Sequence, residues 1–237
     1  MLNAERSGVS VCALVSGGLD SCVMLAGLAR RYRKVYPVFI RHGLVWEETE
    51  LRHLRRFLRA ASQSSSFIPH PSSLRPLAVL SLPVRDLYGN HWSITGRKVP
   101  DAATADEAVY LPGRNLLLLS KAAVFCARHK IGTIAIGSLG HNPFPDAIPR
   151  FFREFAEAAG SALNFPLKII APFRKLTKEQ VIRRGTKLGL PLHLTFSCIA
   201  PKRDRPCGRC NKCAERQRAF QEANICDRTN YTSRIPG

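Results

Sequence analysis

Between two apolar runs, CALV (12–15) and CVML (22–25), stands the stretch SGGLDS, Ser16 to Ser21. Glycine loses more backbone freedom on folding than any other residue, so two in succession must solve a geometric problem or bind something. A strand running into such a turn and a helix running out of it bring main-chain N–H groups and the positive end of a helix dipole to one point, which suits phosphate oxygens. Ser16 and Ser21 add hydroxyl donors, while Gly17, Gly18 and Leu19 offer main chain that phosphates can approach closely. Asp20 cannot favour a phosphate by charge, so it orients the loop or helps hold Mg²⁺ on a pyrophosphate. The stretch lacks the Gly-Lys-Ser/Thr ending of a Walker A loop and does not fit G-x-G-x-x-G.

The rest of the chain places this turn at the head of an alternating pattern. VCALVS (11–16) reads as a strand and DSCVMLAGLARRY (20–32) as a helix with cations in its last turn, where the dipole favours them. KVYPVFIRH (34–42) reads as a second strand, WEETELRHLRRFLRAAS (46–62) as a basic amphipathic helix and SSFIPH (65–70) as a third strand. Such β-α-β-α-β order predicts a parallel sheet with crossover helices. Residues 71–111 hold several prolines and no sustained period, and are expected to form a long insertion or an active-site loop. Further on, helices are expected over 114–129, 146–163 (after its proline) and 176–190, and strands over 133–138 and 167–173. Thr177 and Gln180 stand at capping-box spacing. The expected fold is α/β, a doubly wound parallel sheet over residues 8–192, followed by a small helical, zinc-binding subdomain over 193–237.

The expectation of zinc comes from cysteine spacing. Three of the eight cysteines, Cys12, Cys22 and Cys126, sit in apolar runs and read as core; Cys226 lies near the C-terminal end. The other four form SCIAPKRDRPCGRCNKC, with Cys198 followed by Cys207, Cys210 and Cys213. Four clustered thiolates suit a tetrahedral, closed structural Zn²⁺ site. An iron–sulfur cluster and a redox Cys-x2-Cys pair are the alternatives.

Composition bounds the setting. The 237 residues are 45% hydrophobic and 22% charged, which reads as globular. No secretory signal is visible at the start, and no run approaches the ~18–20 apolar residues of a membrane span. A soluble, cytoplasmic protein that does not engage a membrane is expected. With 36 Lys and Arg against 17 Asp and Glu, the net charge of +19 attracts nucleotides, polyphosphates or nucleic acid. The positive residues are scattered, so a solvated basic surface and a nucleic-acid surface both remain open.

The loop resembles SGGxDS, the PP-loop of the ATP pyrophosphatase superfamily, whose members adenylate a substrate and release pyrophosphate. Together with the cysteine motif, the chain over roughly residues 10–222 looks like the 7-cyano-7-deazaguanine synthase family. LPGRNLLLLSKAA (111–123) is similar to that family's VPGRN helix start, and TFSCIAPKRDRPCGRCNKCAERQRAF (195–220) is close to its T-W-S-C…C-G-x-C-x-x-C ending. The resemblance implies a ligase that uses ATP and ammonia to turn 7-carboxy-7-deazaguanine into the nitrile, with a deazapurine as its small-molecule partner and a homodimer as its assembly. It points to Arg114 for a phosphate or carboxylate contact and to Asn115 as the residue that opens or caps the helix. Lys175 or Lys178 could serve the phosphates, although each also reads as a lone surface lysine.

Three stretches depart from the family pattern. Where the family has G-Q-R-H, this chain reads IRHGLVWEE, with His42 and Gly43 displaced. Where it has Y-P-D-C-R-P-E-F, the purine-pocket stretch, this chain has Phe144 to Phe151 with Ile148 and Arg150 at the Arg and Glu positions. Phe144 and Asp146 are the candidate substrate residues there. Phe196 replaces the tryptophan of T-W-S-C. The competing readings are a PP-loop enzyme that adenylates a tRNA base and a non-catalytic, zinc-containing nucleic-acid binder.

Overall fold

The computed structural model describes residues 7–63, 73–140 and 142–233. Five parallel strands form one sheet in the order β3-β2-β1-β4-β5: β1 Ser7–Leu14, β2 Tyr32–Arg41, β3 Ala78–Ser81, β4 Thr133–Ala135 and β5 Lys168–Ile170. Residues alternate across β1 to bury both faces. Val11, Ala13 and Val15 pack with helices α1 (Leu19–Arg31), α2 (Glu47–Ser62) and α7 (Lys178–Lys187), while Cys12 and Leu14 pack with α5 (Arg114–Arg128) and α6 (Pro149–Ala162). Fully buried parallel strands read as near-continuous apolar runs, which is why 11–16 looked like one. The central β1, flanked by β2 and β4, is the point where crossovers leave in opposite directions. Ligands of such sheets sit there, beyond the strands' carboxyl ends.

The element positions agree with the pattern read from sequence, with two differences. SSFIPH (65–70) lies outside the described residues, and the strand that pairs with β2 is β3, inside the stretch expected to be an irregular insertion. It is four residues long and stands between Pro76 and Pro83, too short to show a period. In the same stretch the short helices α3 (Arg85–Tyr88) and α4 (Trp92–Thr95) and a 3₁₀ turn at Asp106–Val109 follow. Helix α7 begins with one half of the expected box, the Thr177 N–H donating to Gln180 Oε1 at 3.1 Å.

A third apolar cluster lies over the carboxyl end of the sheet. It joins Leu44, Trp46, Val84, Ile94, Val109 and Leu111 to Phe196, the four clustered cysteines and Tyr231. The insertion and the cysteine-rich segment therefore share one core. The Asn211 N–H donates to the Pro100 carbonyl (3.0 Å) and its Nδ2 to the Thr104 carbonyl (2.9 Å). This segment also carries the last helix, α8 (Asn211–Glu222). No described helix is long and apolar enough to cross a membrane.

Candidate active site

The SGGLDS loop leaves β1 at the switch point and is braced from within. Ser16 Oγ accepts from the Gly18 N–H (3.2 Å), and Ser21 Oγ accepts from the Ser16 N–H (3.2 Å) and donates to the Gly18 carbonyl (3.0 Å). Gly17 has φ +83°, and a Cβ there would stand 3.0 Å from the Glu50 carbonyl and 3.1 Å from Leu54 Cβ, so the loop can lie on α2 only as glycine. No side chain caps α1, which leaves its first N–H groups facing outward, as an anion site requires.

Two cavities meet at this loop. One, of about 210 Å³, runs from the loop along the ends of β1, β2 and β4, between Phe39, Ile40 and His42 on one side and Ser138 on the other. The second, of about 450 Å³, has an aromatic and apolar wall of Trp46, Trp92, Val109, Leu111, Phe144 and Phe196. Trp46 and Trp92 stack with centroids 5.6 Å apart, and Tyr110 stacks on Phe144 at 4.7 Å. Ser16, Gly18, Asp20, Glu50, Arg114 and Ser138 border both. Around these spaces, Asp20 Oδ1, His42 Nε2, Arg114 Nε and Ser138 Oγ are buried without a hydrogen-bond partner among the described residues.

Charge is arranged in layers about the junction. Asp20 Oδ2 lies 2.5 Å from Lys178 Nζ, and Lys178 reaches Glu215 of α8 at 3.1 Å. Burial opposes the lysine's charge, but the two carboxylates outweigh it and hold its pKa above the ordinary value. On α2, Glu47 Oε2 accepts the N–H groups of His42 (2.6 Å), Gly43 (2.7 Å) and Leu44 (3.2 Å), fixing the turn after β2. Burial, with Arg114 beside it, lowers His42 to about 4, so its ring is neutral at pH 7. Glu50 moves the other way. Burial raises it to about 8, with Glu47 adding to the rise and Arg114 opposing it.

Cys198, Cys207, Cys210 and Cys213 bring four Sγ atoms within 4.8 Å of one another, all buried. Cys207 and Cys213 lie 4.0 Å apart and Cys198 and Cys210 3.9 Å, close to the ~3.8 Å edge of a tetrahedron with metal–sulfur bonds of ~2.3 Å. Main-chain N–H groups of Ala200 and Cys207 point at Cys198 Sγ, and those of Arg209 and Cys210 at Cys207 Sγ, as thiolates require. The set can hold one metal ion, and the space between the sulfurs is too small for a multi-iron cluster. The segment is also tied to the loop, because the Phe196 N–H donates to the Gly17 carbonyl at 2.8 Å.

A family model described as "Queuosine biosynthesis protein QueC" matches residues 10–224. The chain belongs to this family. A "7-cyano-7-deazaguanine synthase" of Anaeromyxobacter sp. (strain Fw109-5) is 31% identical over 246 residues, covering 98% of this chain and 100% of that protein. Another of that name, from Anaeromyxobacter dehalogenans (strain 2CP-C), is 29% identical and covers 98% and 99% respectively. Among solved structures, "U34-tRNA thiolase NcsA from Methanococcus maripaludis with its [4Fe-4S] cluster" is similar with a TM-score of 0.46 at 15% identity, covering 94% of this chain and 68% of that one.

In this QueC-family chain Ser16, Gly18, Leu19, Asp20 and Ser21 of the loop meet Arg114 and Phe144 at the cavities, Gly17 faces α2 and lines neither, and the four cysteines meet beside them. Asp146 stands apart. Its carboxylate accepts the Asn115 main-chain N–H (2.8 Å) and Asn115 Nδ2 (3.3 Å) at the start of α5, and it lines neither cavity. Asn115 is thus on the receiving side of a cap supplied by Asp146. Lys178 is no lone surface residue; it is enclosed by Asp20 and Glu215. Sequence reasoning did not single out Glu47, Glu50, Trp46 or Trp92. For the two acids a signal existed: they recur at i and i+3 on the stripe of α2 that carries Leu51, Leu54 and Phe57, where a charge is out of place.

Proposed function

We propose that the protein is an ATP-dependent carbon–nitrogen ligase that joins the carboxylate of 7-carboxy-7-deazaguanine to ammonia, giving the amide and then the nitrile, 7-cyano-7-deazaguanine. The observation that carries this reading is the ring of buried, unpartnered polar atoms on Asp20, His42, Arg114 and Ser138 around two cavities that share the loop. Buried polar groups are almost always paired, so such a concentration marks a ligand site. The name borne by the relatives supplies the product, and the matching carboxylate is the acid from which ammonia would build that nitrile.

The chemistry asks for what these residues offer. A carboxylate is a poor acyl donor, and transfer of AMP to its oxygen makes that oxygen a leaving group and releases pyrophosphate. Ammonia then displaces AMP to give the amide, and a second activation removes the amide oxygen. Main-chain N–H groups of Leu19 and Asp20 at the uncapped start of α1, with the Ser16 hydroxyl, hold the phosphates, while the Gly18 N–H and the Ser21 hydroxyl brace the loop. The smaller cavity takes the rest of the nucleotide against Phe39 and Ile40. Arg114, a cation at a helix N-terminus where the dipole disfavours it, neutralises charge developing between phosphate and acyl oxygen. The Trp46, Trp92 and Phe144 wall takes a planar base and keeps water from the activated acid.

Asp20 Oδ1 would hold Mg²⁺, a hard cation suited to carboxylate and phosphate oxygens, which offsets pyrophosphate charge. Cys198, Cys207, Cys210 and Cys213 would hold Zn²⁺ in a closed site that secures the C-terminal segment and offers no open coordination position. The test is to incubate zinc-replete protein with ATP, Mg²⁺, ammonium and 7-carboxy-7-deazaguanine and identify products by mass spectrometry, with Asp20→Ala as control. Amide or nitrile formed by the wild type alone is the expected result. Nucleotide binding without a deazapurine product would move the substrate elsewhere.

A further inference from the structure

Ammonia is almost wholly ammonium at pH 7, and ammonium has no lone pair with which to attack. A ligase that uses it needs a group that draws the cation out of water, removes a proton and stands beside the activated carboxyl. Resting on the ligase reading above, we propose that Glu50 is this group, the proton acceptor of the ammonia step.

The placement carries the assignment. Glu50 is on the buried face of α2, only 8% exposed, and borders both cavities where they meet at the loop. The two acids of α2 have divided their work. Glu47 spends its carboxylate on three main-chain N–H groups and on Arg41 Nε at 3.2 Å. Glu50, one turn further on, faces the cavities without such a cradle. His42, 2% exposed and with an unpartnered Nε2, lines the nucleotide side of the same junction.

Burial, Arg114 and Glu47 set the behaviour of Glu50, among the charged and titratable groups that line the cavities or neighbour it. Glu47 lies on its own helix, His42 at the end of β2, and Asp20 and Cys22 on α1. Arg114 lies on α5, Lys178 on α7, and Lys212, Glu215 and Arg216 on α8. His42 is neutral, and Asp20 turns Oδ2 to Lys178 and keeps Oδ1 without a partner among the described residues. Burial and Glu47 raise Glu50 into the working range of a general base, and Arg114 keeps it from rising further. Arg114 also draws the acyl phosphate, so the base and the electrophile share one neighbour.

The step balances as follows. Ammonium gives one proton to the Glu50 carboxylate, leaving NH₃ and a neutral carboxyl. The nitrogen lone pair forms the C–N bond to the acyl carbon while the C–O bond to AMP breaks, its electron pair leaving with the phosphate. The surplus proton on nitrogen leaves to the departing phosphate, and Glu50 returns its own to water.

The experiment separates activation from amidation. Carboxylate-dependent exchange of pyrophosphate into ATP needs no ammonia, and hydroxylamine, neutral at pH 7, attacks without a base. In Glu50→Gln, exchange and hydroxamate formation are expected to persist near wild-type rates while ammonium-dependent product falls about 100-fold or more. Glu50→Asp should recover part of that loss, and the wild-type rise of amidation with pH should lose its inflection near pH 8 in the Gln variant. Equal amidation by wild type and Glu50→Gln overturns the assignment, as does loss of exchange in parallel with amidation, which would make Glu50 a support of the loop. Absence of exchange in the wild type itself overturns the ligase reading, and this assignment with it.

Discussion

Lys178 Nζ lies 2.5 Å from Asp20 Oδ2, so the first turn of α7 is clamped to the first turn of α1, directly behind the SGGLDS loop. Glu215 completes the triad at 3.1 Å from α8. Because both carboxylates share one cation, removing it leaves two acids facing each other with little water between them. Lys178→Met is therefore expected to cost about 3 kcal/mol, the usual penalty for orphaning a largely buried charge. Urea unfolding should show a lower midpoint at an unchanged slope. An unaltered midpoint would mean the two acids relax into solvent.

Glu50 links stability to pH in a direction opposite to most carboxylates. Its folded pKa of about 8 lies above the ordinary value of 4.5. Its contribution to stability is thus fully present below pH 4.5 and is lost as pH rises through 8. Glu50→Gln removes that loss. Relative to wild type, the variant should gain on the order of 4 kcal/mol between pH 5 and pH 9. Urea midpoints of both proteins at the two pH values measure it, and a difference that stays constant with pH would show that Glu50 is not raised. His42, lowered to about 4, weakens the fold as pH falls from 6.5 through 4, but it does so in both proteins and cancels in the comparison.

The strand-turn-helix at 11–32 was legible because two physical signals coincide there. A run buried on both faces is apolar throughout, and the glycine turn marks where it ends. The cysteines were legible for a similar reason, since metal-ligand spacing is a local property of the chain. Contacts between distant segments left no such trace. Trp46 stacks on Trp92 from the far side of α2 and β3, and Lys178 finds Asp20 across 158 positions, so neither pairing has a sequence period to betray it. β3 was hidden by its brevity and by its flanking prolines. Asp146 was read for its place in a family motif, whereas its partner Asn115 is fixed by the fold.

Removing a metal held by the four cysteines should loosen more than the cysteines. Their segment is tied to the loop through the Phe196 N–H on the Gly17 carbonyl, and to Asp20 through Glu215 and Lys178. Cys210→Ser, or a strong chelator, is expected to lower the melting temperature by about 10 °C and to weaken ATP binding as well. Elemental analysis and calorimetric titration with ATP read the two effects. Full ATP affinity in metal-free protein would show that the loop holds its shape without the segment.

Asp146 yields a sharper contrast, because its two assignments predict different kinetics. Both of its oxygens take hydrogen bonds from Asn115, one from the main chain at the start of α5, where a negative charge also complements the helix dipole. As a cap it should cost about 1–2 kcal/mol of stability on replacement by alanine, and the KM for the deazapurine acid should stay where it is. As a reader of the purine edge it would leave stability nearly unchanged and raise that KM. Denaturant unfolding and steady-state kinetics of Asp146→Ala separate the two, and the geometry favours the first. Because α5 begins with Arg114, some loss of kcat is expected to accompany the lost cap, through a misplaced guanidinium and not through substrate binding.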